Sequence, residues 1–301
     1  MNSKTMAWLL PALLFWYGIM GQRSSSPEGQ PLTGIAWQAG ISLGVANCLT
    51  DIGGRNGIGT RFLVDANWQH TRFCGSAALI VNWRASIVGR LQLFAGQVSA
   101  NDNVLVNSTG MARNRYFRQL HFKSKLLEAS LLTEWHLLTV LRPSEEQPRF
   151  SPYLVLGAGL FHYNPKALYQ GQWVELRPLH TEGQTFSEYT NRPAYGAFSW
   201  CLPAGAGLCY SNNSRIGYRL EMVYRFTGTD YLDDVSTRYI DAALFAKYLP
   251  AASAAVAAAL ADRSNELPGR KRNEPGNIRG NPSNKDAYFS FACTVSIVLG
   301  K

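Results

Sequence analysis

The stretch RIGYRLEMVYRFTGTDYLDDVSTRY, Arg215 to Tyr239, carries a strict two-residue alternation straight into an acidic loop. Ile216, Tyr218, Leu220, Met222, Tyr224 and Phe226 fall on one face of a strand, and Gly217, Arg219, Glu221, Val223 and Arg225 on the other. A soluble sandwich strand also alternates, but its apolar face is seldom this uniform. Apolar positions facing lipid opposite charges facing inward are the pattern of a membrane-barrel strand.

Seven further segments alternate in the same way: Gly34 to Ala46, Phe73 to Trp83, Ile87 to Val98, Leu120 to Leu137, Tyr153 to Tyr163, Trp200 to Tyr210 and Tyr288 to Leu299. The resulting expectation is an all-β fold, an eight-stranded antiparallel transmembrane β-barrel. Its joins are long at 47–72, 99–119, 164–199 and 227–287, short at 84–86 and 211–214, and moderate at 138–150. Long loops on one side and short turns on the other fit an outer-membrane barrel with extracellular loops. Trp37, Trp83, Trp135, Tyr153, Tyr163, Trp200, Tyr210, Phe226 and Phe289 are candidates for interfacial girdles. An eight-stranded barrel is filled by side chains. The alternation turns Arg90, Glu128, Glu134, Arg219, Glu221 and Arg225 inward, where opposite signs can pair.

Residues 1–21 read as a signal peptide: Lys4, then an apolar run from Met6 to Met20, too short to span a bilayer. Residues 22–301 then form one barrel domain. The formal charge is +9, but the cations are dispersed, and export argues against nucleic acid as a partner. Five cysteines without CxxC spacing give neither a metal site nor a dense disulfide framework, although Cys48 and Cys74 could bridge. In the last long join, Pro250 followed by an alanine run from Ala251 to Ala261 predicts a short helix. The Gly/Pro/Asn-rich segment from Leu267 to Asn284 reads as loose loop.

No motif supplies a catalytic, cofactor or metal site. The glycines from Gly53 to Gly59 lack the lysine and the strand–helix context of a phosphate loop. Glu128 and Glu134 lie roughly 20 Å apart along one strand, too far for a general acid and base pair. His121 and Ser124, three residues apart, fall on opposite strand faces, which disfavours a hydrolase. Asp230, Asp233 and Asp234 could offer oxygen ligands to calcium, but their spacing suits turn capping better.

At this loop the chain resembles the PorG-like outer-membrane β-barrel family of Bacteroidetes. The matching pieces are Asn164-Pro165-Lys166, Arg177-Pro178 with Glu182-Gly183, Asp230-Tyr231 with Asp233-Asp234 and Ser236, Asp262-Arg263-Ser264, and Arg279-Gly280-Asn281-Pro282. They follow the family's order over most of the second half. In the first half only the strand pattern and Asn47 to Gly54 are similar. His180 stands where the family has glycine, and Leu299-Gly300-Lys301 lacks the usual terminal aromatic residue. The resemblance implies a non-enzymatic outer-membrane component of the type IX secretion system. Its partners would be outer-membrane lipids and periplasmic ring subunits, with no nucleic acid and no small-molecule substrate. A surface barrel binding an extracellular ligand is the alternative, followed by a lipid-modifying barrel enzyme.

Overall fold

A computed structural model describes residues 36–54, 67–84, 86–141, 148–211 and 215–299. The leader read over 1–21 lies outside the described residues, as do Gly57 and Gly59. Eight antiparallel strands close on themselves: β1 (Ala36–Leu49), β2 (Arg72–Arg84), β3 (Ile87–Asn101), β4 (His121–His136), β5 (Phe150–Tyr169), β7 (Phe198–Ser211), β8 (Ile216–Thr227) and β9 (Ala287–Leu299). The ring closes through β1 and β9, where Trp37 faces Leu299 and Leu49 faces Ala287. The eight-stranded antiparallel barrel expected from the alternation is therefore the observed fold.

A ninth strand, β6 (Gln172–Glu175), was not anticipated. It pairs only with the extended end of β5, so that Asn164, Pro165 and Lys166 lie in a strand instead of the expected loop. Pairing with β7 stops at His162. Pro165 still faces Ser124 of β4, but on its other side β7 pairing has ended and β6 pairing begins only at Lys166, so a missing N–H costs little there.

The outer wall is a belt of large apolar side chains. Ile41, Leu43, Leu93, Leu127, Leu131, Leu160 and Val295 are all more than half exposed. A soluble protein does not leave so continuous an apolar surface bare, and lipid is the solvent it suits. No helix among the described residues is long and apolar enough to cross a membrane; the crossing is made by strands. Trp37 and Trp83 mark the belt at one rim, Trp200 and Phe226 at the other, all exposed. Tyr153, Tyr163 and Phe289 are buried, which corrects their place in the girdles. In β5 the outward residues are Leu154, Leu156 and Leu160, while Val155 and Phe161 point inward.

The long connections 50–71, 102–120, 170–197 and 228–286 all leave from one rim. Among the described residues four short helices lie in or beside the connections: α1 (Gly110–Arg118), α2 (Leu137–Leu141), α3 (Ala243–Tyr248) and α4 (Ala251–Ala261). The alanine run is helical over the expected residues. It packs Ala254, Ala257 and Leu260 against Leu176, Leu179, Phe186 and Phe245 in an apolar cluster of its own outside the barrel. The segment from Leu267 to Asn284 is not loose throughout. Arg238 bridges to Ile278, and Arg279 and Gly280 are buried. All five cysteines are free thiols, four buried and Cys293 exposed on the outer wall.

Candidate functional site

Two polar constellations lie along the barrel axis, one inside the wall and one above it. Within the barrel the six inward charges are 7% exposed or less. Arg90 bridges Glu134 at 3.1 Å and Glu221 at 2.8 Å, while Arg219 approaches Glu134 at 3.5 Å. Nearer the loop rim, Arg225 Nε donates to Glu128 Oε2 at 2.6 Å and its guanidinium lies 4.6 Å from the centre of the Phe94 ring. Tyr153 and Tyr288 complete the set by donating to Glu221 at 3.0 Å and Glu128 at 2.9 Å. Gly207 makes room for Tyr153, because a Cβ there would lie 2.4 Å from its ring. The buried charges are thus all ion-paired, and Glu128, Glu221 and Arg225 are hydrogen-bonded as well, the condition under which charge survives burial.

Above this ladder the four long connections are tied together by carboxylates and two arginines. Asp233 accepts from Val235 N in its own turn and from Ile52 N of connection 50–71, both at 2.9 Å. Asp230 accepts from Ser236 Oγ at 2.6 Å, and Asp286 from Leu232 N at 2.8 Å. Asp234, in left-handed backbone at φ +68°, takes the hydroxyls of Thr181 and Tyr195. Tyr195 in turn stacks on Tyr231, with centroids 4.6 Å apart. Glu182 accepts from Ser236 N, from Thr237 N and Oγ1, and from Arg279 Nη1 at 2.9 Å. Arg279 also donates to Ala261 O and Asp234 O. Arg118 reaches Arg279 O and Asp51 O while paired with Asp102. Asp51 Oδ2 accepts from Asn281 N at 2.7 Å.

Gly280 sits where a Cβ would be 2.5 Å from Asp51 Oδ2, and Gly183, at φ +72°, faces Tyr189 and Ile240. Neither position accommodates a side chain. The remaining motif residues hold the periphery. Asn164 and Lys166 meet Glu175 at 2.8 Å, and Arg177 and Pro178 lie in a short 3-10 turn that ends at His180. Asp262 caps Ser264 and Asn273, and Arg263 donates to Leu168 O. Pro282 is exposed beside them. His180 itself is left-handed at φ +49°, a conformation that favours the glycine of the family pattern.

Burial dominates the titration of this cap. It pushes Asp230 up to about 7, with Asp51's charge adding to it against the Ser236 hydrogen bond. Burial likewise pushes Asp234 up to about 6, opposed by Arg279. Asp233 and Asp286 stand well above the carboxylate range, through burial first, then for Asp233 the charges of Asp51 and Asp230, and for Asp286 those of Asp233, Asp230 and Asp51. No group of three or more His, Cys, Asp or Glu among the described residues has metal-binding geometry. The aspartate side chains bind backbone and hydroxyl groups of the loops instead.

His121 Nε2 accepts from Leu168 N, and Ser124 Oγ from Asn164 N, so the structure does not bring these two together. It does bring together a pair that sequence reading missed. His136 Nδ1 lies 2.8 Å from Ser151 Oγ, and His136 Nε2 lies 3.6 Å from Glu134 Oε2. The signal lay in strand parity, since both residues point inward on either side of connection 137–149. Ser151 and His136 are each 1% exposed, and Glu134 is already held by two arginines. A substrate has no access to that serine.

Solved structures similar in fold include Ail, the attachment invasion locus protein of Yersinia pestis, determined in complex with the heparin analogue sucrose octasulfate. It is 9% identical, with a TM-score of 0.37 over 87% of this chain and 99% of that one. Neisserial surface protein A (NspA) is 10% identical, with a TM-score of 0.36 over 88% and 97%. No family model and no curated protein matches the chain.

Proposed function

We propose that the chain is an integral outer-membrane component of a protein secretion apparatus of the type IX kind, PorG-like, holding partner proteins without performing catalysis. The observation that carries this reading is that the residues of the family resemblance form one network. Asp230, Asp234, Ser236, Glu182, Arg279 and Gly280 join connections 170–197 and 228–286, and Asp51 and Arg118 tie the other two to them, over a barrel already filled by charge pairs. Such a body offers neither a pore nor an open catalytic cleft. It does offer a rigid rim. In this reading the long connections face outward, the short turns face the periplasm, and ring subunits dock on the turn rim.

Deletion of the gene, followed by measurement of secreted cargo in the medium, tests the role. Export should fail and be restored by the wild-type chain and equally by Ser151→Ala. Normal export in the deletion strain would remove the secretion role. Failure of Ser151→Ala alone, with its folded barrel present in the membrane, would favour a barrel enzyme.

A further inference from the structure

On the outer wall, apolar residues give way to cations near the loop rim at one place. Odd-numbered residues of β4 point to lipid: Leu131 is 68% and Leu127 60% exposed, and the next two outward positions are Lys125 and Lys123. On β5 the outward series runs Leu156, Leu160, His162, Asn164 and Lys166. The register sets Lys123 directly opposite Lys166, and Lys125 opposite Asn164. Like charges facing each other on paired strands are unfavourable unless something anionic joins them. Glu175 meets only one of the three, Lys166, at 2.8 Å.

These side chains and Trp173 line a cleft of about 180 Å³. That is room for roughly six waters at ~30 Å³ each, ample for a phosphate and part of its hydration. Lys123 Nζ lies 3.7 Å from the centre of the Trp173 ring. Lys125 stands two residues beyond Leu127, roughly 7 Å along the strand, where the belt ends. Tryptophan and lysine together mark the headgroup level of a bilayer.

We propose that Lys123, Lys125 and Lys166, beside Trp173, bind the phosphate headgroup of an anionic lipid in the leaflet at the loop rim. Leu127 and Leu160 lie immediately below for its acyl chains. This continuity with the belt favours a lipid over a soluble anion. Under the orientation proposed above that leaflet is the outer one, although the site itself requires only insertion.

Native mass spectrometry of the folded chain in detergent micelles can test it, with diphosphorylated lipid A as probe, phosphatidylcholine as neutral control and inorganic phosphate as competitor. Wild type should retain lipid A in preference to phosphatidylcholine and in the presence of phosphate. Lys123→Gln/Lys125→Gln should retain it roughly tenfold less, and Lys271→Gln/Arg272→Gln in the last connection should retain it as wild type does. Lys125→Glu, a single change at an exposed position, gives a second reading, with heat-modifiable gel mobility reporting the fold. Unchanged retention by the lysine variants would overturn the site. Displacement of the lipid by inorganic phosphate would overturn its assignment to lipid.

Discussion

Arg90 holds two carboxylates from two other strands, Glu134 and Glu221, with all three side chains buried in the barrel interior. Removing the cation leaves both acids buried beside fewer partners, a change that costs about 3–5 kcal/mol. Arg90→Leu should therefore lower barrel stability by that order in urea titrations in lipid vesicles, far more than Leu127→Ala on the lipid face. Asp230 behaves oppositely to a salt-bridged acid. Its pKa is raised in the folded cap to about 7 from 3.8, so the cap holds a proton that the opened loop releases. Its contribution is fullest in acid and is lost as pH rises from about 4 to about 7. The protection factors for hydrogen exchange at residues 230–237, corrected for the intrinsic pH dependence of exchange, should fall over that window in the wild type and less steeply in Asp230→Asn. Lower protection on acidification would contradict the assignment.

Among the elements, those with regular periodicity or a strong local signal were legible. The strands follow from alternation, and α4 follows from Pro250 and its alanines because propensity and capping are local. Strand β6 has four residues and depends on the far end of β5, so no pattern announces it. The cap was legible only as scattered motif pieces. Its bonds join Asp51 to Asn281, Arg118 to Arg279, and Glu182 to Ser236 and Thr237, all from aperiodic segments far apart in the chain. Asp102 and Arg118 carry as much of it as the motif residues and had no sequence signal, while Asp51 was marked only by the similarity of Asn47 to Gly54. The cap should open as a unit separate from the barrel. Arg279→Met would strand Glu182 and release connection 228–286 to limited proteolysis, while the barrel keeps its heat-modifiable mobility. Equal protease resistance in the variant would show that the arginine is not the tie.

At the scale of the whole molecule, eight strands, paired interior charges and a tied cap make a solid body in the membrane. Strand number and most of the inward parity could be read from alternation, since each is a property of single strands; in β5, apolar on both faces, Tyr153 and Tyr163 turn inward against the reading. What docks on the rims could not, because binding surfaces obey no period. A filled barrel should show no steady conductance in planar bilayers, and Arg90→Leu should not open a selective channel. Stable single-channel currents from the wild type would contradict the filled interior. The proposed role is tested most directly by affinity capture of the tagged, functional chain from native envelopes, with quantitation of the periplasmic ring subunits of the secretion apparatus. Those subunits should be recovered in constant ratio to the barrel and lost on substitution of the turn-rim residues Arg149 and Arg215. Recovery of the folded barrel without them would contradict the account.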